Sequence, residues 1–396
     1  MFLMKRKLRP NNKGILILVS LFVVLFAGLM FALSDRFKTT PQTPVPTETL
    51  ALSPTPSQTP EASATPEPQA SETPEPQESQ VPEQKLVIRT DYEAFQPNEA
   101  GDIPVVMFHR FVDEYDGDKE YTTTFKEFEA LLETLYNQGY RLISMQDFID
   151  CNISVPAGTM PMVFTFDDGT PGQFNLIEEN GKLKVNPKSA VGIMMAFNEK
   201  HPDFGLKGIF YVNMDIGDNT FMGAGSLRER FEILESLGLE IGTHTWGHVD
   251  YRAITTTEKI QESIGKNQKR AEEVLPGLRF YSLALPYGSR PKDKNLWPAL
   301  QNGTYEGVAY HHDTIMAVGA EPSVPSISKK YDSSYVHRIR SQGKDPVDCD
   351  LTWWLSRMTA SRMFISDGDP ETIVVPESKA DKVDTQKLGS KRLVTY

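Results

Sequence analysis

Two adjacent carboxylates and a pair of histidines are the residues of this chain whose types and spacing could do chemistry. Asp167 and Asp168 follow the apolar run 162–166, and His244 and His248 stand four apart in "GTHTWGHVD". Like charges side by side cost free energy unless a cation lies between them or one group stays protonated. Neutral imidazoles with a carboxylate are ligands for zinc, and also for iron, cobalt or nickel. The four residues therefore predict a site for a divalent metal ion.

Each motif also has a structural explanation. Asp-Gly pairs are common in turns, so Asp168 and Gly169 could simply end a strand. A zinc-protease motif needs glutamate directly after its first histidine, and Thr245 stands there. A metal site would give the two acids different roles, because one would bind the ion and the other would take a proton from water. Neighbouring residues of a strand face opposite sides, so both acids reach one site only if a turn begins at Gly169.

Six short apolar runs of the chain each end in polar or ionisable residues or in a turn. They are "IPVVMF" before His109, "MVFTF" before Asp167, "GIFYV" before Asn213, "LEIGT" before His244, "YSLAL" before Pro286 and Tyr287, and "GVAY" before His311, His312 and Asp313. Helical stretches lie between several of them, including two with Thr124 and Ser226 as N-caps. Alternating strands and helices predict an α/β fold with a parallel sheet, open or closed into a barrel. Because ligands bind at the carboxyl ends of such strands, we expect these residues to share one rim.

The N-terminus predicts a membrane anchor. A basic tail, residues 1–13, precedes the segment 14–33, which carries no charge and is long enough to span a bilayer as a helix. The basic flank is expected to stay in the cytoplasm, so the rest of the chain would be exported. The alternative is a cleaved signal peptide, although its apolar core would be shorter, about 7–15 residues.

A segment rich in Pro, Ser, Thr and Glu, residues 34–86, separates the predicted anchor from the predicted domain, residues 87–396. From Thr39 to Gln84 it contains no basic or aromatic residue. A segment of this composition cannot bury a core, so we expect a disordered, extended linker. It would be either a stalk that holds the domain away from the membrane or an inert tail.

Charge and cysteine content restrict the remaining classes. The chain of 396 residues has 53 acidic and 41 basic residues, for a net charge of -12, which argues against nucleic acid as a partner. Its two cysteines, Cys151 and Cys349, form no metal-binding spacing. Export would permit a disulfide bond between them but does not require one.

Three motifs of the chain resemble those of the polysaccharide deacetylase family, the NodB-homology or carbohydrate esterase 4 proteins. "TFDDG" and "HTWGH" resemble the first two family motifs, and "LALPYG", residues 283–288, resembles a divergent third. The resemblance covers residues 103–375 and implies a deformed (β/α) barrel and a metal-dependent N-deacetylase of N-acetylhexosamine polymers. The site residues it implies are Asp167 as general base, Asp168, His244 and His248 as metal ligands, and the backbone N–H of Tyr287, after Pro286, as an oxyanion contact.

The chain departs from the family pattern in three places. Ala284 and Leu285 stand where the usual third motif carries arginine before its prolines. No clear "LxH" motif near the C-terminus supplies a general-acid histidine, and the segment 172–208 between the first two motifs is long. "IPVVMFHRF" and "LALPYG" resemble the subgroup that deacetylates poly-N-acetylglucosamine more than the chitin or xylan branch.

The general acid has several candidates among the seven histidines. His109 is preferred by its resemblance to the start motif of that subgroup and by its expected place on the rim with the metal ligands. His337, in "YVHRIRSQG", and the pair His311 and His312 are the alternatives. His109 could instead be a structural residue whose hydrogen bond supports the Asp167 loop.

These features together predict a membrane-anchored deacetylase that releases acetate from a cell-surface glycan, either peptidoglycan or a poly-N-acetylglucosamine-like polymer. Zinc is the metal expected first, with cobalt, nickel or iron as alternatives. The competing hypothesis is a non-catalytic wall-binding module that has kept the barrel. The complete set of metal ligands argues against that module, and the altered third motif argues for it.

Overall fold

The computed structural model describes residues 87–117, 120–341, 345 and 347–396. The predicted anchor, 14–33, and the predicted linker, 34–86, lie outside the described residues. Within the described part, no helix combines the length and the apolar character that a membrane crossing requires. The strands of this part are β1 (Val105–Phe108), β2 (Arg110–Val112), β3 (Thr122–Thr124), β4 (Tyr140–Leu142), β5 (Met160–Asp167), β6 (Leu176–Glu179), β7 (Lys182–Val185), β8 (Ile209–Val212), β9 (Glu240–Thr243), β10 (Ser282–Ala284), β11 (Asn302–Tyr305), β12 (Val308–His311), β13 (Thr314–Met316), β14 (Ile339–Arg340), β15 (Thr372–Val375) and β16 (Arg392–Thr395).

A curled parallel sheet forms the centre of the domain. Its strands follow the order β13-β10-β9-β8-β5-β1-β14, with β4 paired to β5, and every one of these pairs is parallel. All eight residues of β5 are buried, as expected for a parallel strand covered on both faces. The predicted parallel α/β sheet is thereby confirmed, and its curl agrees with the predicted deformed barrel.

The segment 336–340 connects the two edges of this sheet. Val336 forms a parallel bridge with Met316 at the end of β13, and Ile339 pairs with Val106 of β1. Arg338 lies between these two contacts and is fully buried. The chain therefore closes the curled sheet with a short strand that carries a guanidinium group into its interior.

Helices cover the outer face of the sheet, and their starts follow the predicted caps. Thr124 and Ser226 each form a reciprocal capping box with the glutamate three residues later, which satisfies backbone N–H groups that the first turn leaves free. The α-helices of the described part are Tyr92–Phe95, Phe125–Asn137, Met145–Asp150, Ala190–Lys200, Leu227–Ser236, Thr257–Val274, Pro298–Gln301 and Leu351–Leu355.

Successive side chains of β5 point to opposite faces of the sheet, and the two faces belong to different hydrophobic clusters. Phe164 and Phe166 of β5 pack in the cluster shared with the covering helices, where Phe166 stacks on Phe210 at 4.5 Å between ring centroids. Val163 belongs to a second cluster, and the period of two places Asp167 on the same side as Val163 and Thr165. The strand thus directs Asp167 toward the face where Arg338 is buried.

The prediction that "GVAY" forms a sixth strand of the parallel sheet, ending at His311, is wrong. Val308–His311 pairs antiparallel with Asn302–Tyr305 in a separate hairpin. The strand that follows β10 in the sheet is instead β13, whose three residues are buried. The hairpin turns at Glu306 and Gly307, which both have positive φ. Its strand is largely exposed, so the short apolar run did not indicate a buried sheet strand.

The two cysteines are both free in this structure. Cys151 is buried with apolar neighbours, and burial raises the pKa of its thiol to about 12. Cys349 is partly exposed. The disulfide bond that the sequence left open is therefore not formed here.

Candidate functional site

A cleft of about 570 Å³ lies at the carboxyl ends of the sheet strands. It collects the ends of β1, β5, β8, β9 and β10, as expected for a parallel α/β fold. Its lining residues are His109, Arg110, Tyr121, Asp167, Asp168, Thr170, Asn213, His244, His248, Leu285, Tyr287 and Val318. Five of the strand ends named from the sequence therefore meet in one cavity.

The turn that brings both acids to the cleft begins one residue earlier than predicted. Asp167 is the last residue of β5, and Asp168 already has a left-handed backbone, with φ of 79°. Gly169 continues the turn with φ of 63°, and a Cβ there would lie 3.1 Å from the Thr220 side chain. The reversed direction at Asp168 brings its side chain to the same cavity as that of Asp167.

Asp168, His244 and His248 form the one group of three or more potential metal ligands found among the described residues. Their donor atoms lie within 4.8 Å of one another. The Oδ1 atom of Asp168 is 3.4 Å from Nε2 of His244 and 3.7 Å from Nε2 of His248. Two imidazole nitrogens and one carboxylate oxygen that converge in this way fit a divalent ion such as zinc.

Hydrogen bonds orient the first histidine for this role. Nδ1 of His244 lies 2.9 Å from the carbonyl oxygen of Ala284. A carbonyl can only accept, so Nδ1 carries the proton and Nε2 offers a lone pair toward Asp168. Asn213, at the end of β8, donates Nδ2 to the carbonyl oxygens of His244 and Thr245 at 2.6 and 2.7 Å. The strand ends therefore hold the imidazole in the tautomer that metal binding requires.

Asp167 forms a buried, bidentate ion pair with Arg338. Nη1 donates to Oδ1 at 2.7 Å and Nη2 to Oδ2 at 2.8 Å, and the two side chains are 1% and 0% exposed. Arg338 also donates to the Ala317 carbonyl and to Oγ1 of Thr165. A parallel pair of charge-assisted bonds of this kind fixes both the charge and the orientation of a carboxylate.

The ion pair sets the protonation of Asp167. Burial alone would raise the pKa of this carboxyl, but attraction to Arg338, and then to His244 and His109, lowers the pKa well below its usual range. Asp167 is therefore ionised near neutral pH. Arg338 occupies one lone-pair direction on each oxygen, and about two directions remain for other donors.

His109 lies beside Asp167 at the end of β1. Its Nε2 is 3.8 Å from Oδ2 of Asp167, and burial lowers the pKa of its imidazole. Its Nδ1 is buried and has no hydrogen-bond partner among the described residues. The alternative role of His109 was a side-chain hydrogen bond that supports the Asp167 loop. In the structure the backbone makes this connection, because the side-chain amide of Gln173 donates to the carbonyl oxygens of both His109 and Asp167.

The other candidate acids lie outside the cleft. His337 is 41% exposed and its Nδ1 is 3.9 Å from Glu321. His311 is exposed and contacts Asn302 and Asp313. His312 is fully buried, and burial lowers its pKa to about 4. His337 and the His311–His312 pair therefore lie outside the cleft lining, and His109 is the candidate acid that shares it with Asp168, His244 and His248.

Leu285 and Tyr287 of the third motif also line the cleft. Pro286 is buried, whereas Tyr287 is 61% exposed and its ring centroid lies 4.6 Å from that of His248. Four residues of the lining, Tyr121, Asp168, His248 and Tyr287, have positive φ. Such conformations are costly for non-glycine residues and concentrate at functional sites.

Sequence patterns missed three buried polar residues that build the site. Arg338 binds Asp167, Gln173 joins the ends of β1 and β5, and Asn267 binds the backbone carbonyl of Val212 and Oγ1 of Thr243. Asn267 stands on the buried face of the helix Thr257–Val274. A polar residue within that apolar stripe was the available signal, because buried amides need partners.

Comparison with known proteins finds one family model that matches part of this chain. Residues 155–308 match the model of the polysaccharide deacetylase family, and this range contains Asp167, Asp168, His244, His248 and Tyr287. The match confirms the predicted resemblance and the predicted enzyme class, a hydrolase of carbon–nitrogen bonds other than peptide bonds. A search of the curated proteins found no match.

Several solved structures are similar to this chain at low identity. A polysaccharide deacetylase from Bacillus cereus is 18% identical, with 65% of this chain and 69% of that chain covered and a TM-score of 0.47. The deacetylase PplD from Streptococcus pyogenes, in complex with acetate, is 13% identical, with 65% and 98% covered and a TM-score of 0.47. IcaB from Ammonifex degensii is 18% identical, with 62% and 94% covered and a TM-score of 0.43.

Proposed function

We propose that this chain is a metal-dependent N-deacetylase that removes acetyl groups from N-acetylhexosamine residues of a cell-surface polysaccharide and releases acetate. The observation that carries the proposal is the convergence of two sets of residues in one cleft. Asp168, His244 and His248 converge as a ligand set, and Asp167 and His109 lie next to them as an acid–base pair 3.8 Å apart. An amide hydrolase needs both a polarising group and proton transfer.

The metal would be held by Asp168, His244 and His248, with zinc as the first choice for a set of two imidazoles and one carboxylate. When bound, the ion would polarise the acetyl carbonyl and lower the pKa of water beside Asp167, which a weakly basic carboxylate requires. Asp167 would take the proton of the attacking water, and Arg338 would keep that carboxylate ionised and correctly oriented.

Two further groups would complete the reaction. As the new carbon–oxygen bond forms, the backbone N–H of Tyr287, which follows Pro286, would donate to the oxygen of the former acetyl carbonyl. As the carbon–nitrogen bond breaks, His109 would give a proton to the leaving amine. Its place at the cleft wall beside Asp167 supports this role. The products are acetate and a glucosamine residue whose amine becomes positively charged.

The substrate is proposed from the motifs and from the predicted export. The start motif "IPVVMFHRF" and "LALPYG" favour a polymer of N-acetylglucosamine, either a poly-N-acetylglucosamine-like polymer or peptidoglycan. The alternative of a non-catalytic wall-binding module gains no support, because the ligand set is complete and the buried Asp167–Arg338 pair is retained. Such a module would gain nothing from a carboxylate held ionised in the cleft.

The experiment is a measurement of acetate released by the purified full-length chain, kept in mild detergent and supplied with zinc. The substrates are N-acetylglucosamine oligomers, poly-N-acetylglucosamine and peptidoglycan, with O-acetylated xylan as the control. We expect release from at least one N-acetylated substrate and little from xylan, with loss after chelation and recovery with zinc. Binding to these glycans with no acetate release would contradict the proposal and favour the binding module.

The location of the enzyme is a separate part of the proposal. The basic tail 1–13 would lie in the cytoplasm, residues 14–33 would anchor the chain, and the linker 34–86 would hold the domain outside the membrane. Protease added to intact, wall-stripped cells should release a soluble fragment that carries the deacetylase motifs. If that fragment formed only after cell lysis, the orientation would be wrong. A mature N-terminus within or just after residues 14–33 would show cleavage instead of anchoring.

A further inference from the structure

Tyr121 lies at the edge of the cleft in an unusual backbone conformation. It has φ of 58° and directly precedes β3, which pairs with β2 through only three residues on each side. The N–H of Arg110 donates to the Tyr121 carbonyl oxygen at 3.1 Å. Non-glycine residues seldom adopt positive φ, and where they do the surrounding structure must impose it. The fold therefore holds this tyrosine in a fixed place.

The ring of Tyr121 is supported on two sides but remains exposed. The guanidinium carbon of Arg340 lies 4.9 Å from the ring centroid, and Arg340 is itself held by Asp350 and Glu120. The ring of His109 is 4.8 Å away. Tyr121 nevertheless keeps 37% of its surface exposed, and it lines the cleft. Packing alone does not explain a large aromatic ring left partly open to the cleft.

Tyr121 and Tyr287 lie against different histidines of the cleft. Tyr121 contacts His109, which faces Asp167, whereas Tyr287 contacts His248, which faces Asp168. Both tyrosines are among the few large apolar or aromatic side chains that the described part of the chain exposes. The cleft thus has one exposed ring on the side of the acid–base pair and another on the side of the metal ligands.

We propose that Tyr121 is a specificity-determining residue, whose ring stacks on the sugar next to the reacting N-acetylhexosamine. The inference rests on the proposed function and deepens it, because it names the residue that would favour sugar chains over single sugars. A pyranose ring has an apolar face of C–H groups and a polar rim. Tyrosine binds such partly apolar, partly wet surfaces because its ring is large and rigid. The side of the cleft next to His109 then accommodates a neighbour in the chain.

The proposal predicts an effect that depends on substrate length. Tyr121→Ala should raise KM for N-acetylglucosamine oligomers of three or more units by about tenfold, the order expected for one lost aromatic contact. The variant should leave kcat for the same oligomers within about twofold, because the lost contact is made equally in the ground and transition states. For the single sugar, KM should not change. Tyr121→Phe keeps the ring and should behave as the unaltered chain.

The experiment measures kcat and KM of the full-length chain for N-acetylglucosamine and its oligomers of two to six units, with zinc present. Tyr305→Ala, on the β11–β12 hairpin outside the cleft lining, is the matched control for loss of a tyrosine ring. Equal KM values for Tyr121→Ala and the unaltered chain at every length would overturn the inference. A uniform fall in kcat at all lengths, with KM unchanged, would show a structural role and would also overturn it. Absence of acetate release from the unaltered chain on every substrate would instead count against the proposed function itself.

Discussion

Replacing Asp167 by asparagine is expected to lower the rate of acetate release by about two to four orders of magnitude, the usual contribution of a general base. Asparagine has nearly the same shape but cannot accept the proton of the attacking water. Bound zinc should remain near one equivalent, because Asp168, His244 and His248 would supply the ligands. The measurement is turnover together with metal content of the purified variant.

Asp168→Asn is the matched variant on the next residue, and it should behave differently. Loss of a charged ligand should weaken zinc binding, and excess zinc should partly restore the rate. The opposite pattern, in which Asp167→Asn loses zinc and Asp168→Asn keeps it, would show that the two roles are reversed. Unchanged rates in both variants would remove the basis for the enzymatic assignment.

Replacing Arg338 by methionine is expected to destabilise the protein by about 3–5 kcal/mol, because it leaves a buried carboxylate without its partner. Asp167 is 1% exposed and both its oxygens bind the guanidinium. Acetate release should also fall, since the base would lose both its orientation and the positive charge that keeps it ionised. Denaturant unfolding and turnover of the same preparation measure the two effects.

A double variant separates the stability effect from the catalytic one. Asp167→Asn with Arg338→Met removes both charges, so the free energy of unfolding should recover part of the loss seen in Arg338→Met. The rate of acetate release should stay at the level of Asp167→Asn. If Arg338→Met does not fold, Arg338→Lys keeps the charge but lacks the bidentate fork, and it should lose activity with a smaller loss of stability. An Arg338→Met protein that is as stable and as active as the unaltered chain would contradict the structural account.

The sequence predicted well those parts of the site that depend on local patterns. The first two motifs, the caps at Thr124 and Ser226, and the strand ends at His109 and His244 all follow from short runs of residue types. Since parallel strands place their carboxyl ends on one edge, the convergence of these ends could be inferred from the sequence. The rim position of His109 was predicted in the same way.

The partner of Asp167 could not be found by the same means. Arg338 is 171 positions away in sequence, and within "YVHRIRSQG" the residue type that indicated acid–base chemistry was His337. Neighbouring residues of an extended segment face opposite sides, so His337 is directed outward where Arg338 is directed inward. Only the pairing of the segment 336–340 with both edges of the sheet decides which of them is buried.

The third motif departs from the family pattern at two buried positions. Ala284 and Leu285 take the place of the family's arginine and are both fully buried. A guanidinium reaches the cleft from another strand, through Arg338. The local sequence of the third motif gives no sign of this contact, because Arg338 comes from a distant segment.

A zinc titration of the metal-free, full-length chain tests the central claim most directly, with acetate release from N-acetylglucosamine oligomers as the readout. If Asp168, His244 and His248 form one functional site, activity should rise linearly and reach its plateau at about one equivalent of zinc, as a single three-ligand site requires. The same titration of His248→Ala should give little activity at that point. Full activity in the metal-free protein, or equal activation of His248→Ala at one equivalent, would contradict the account.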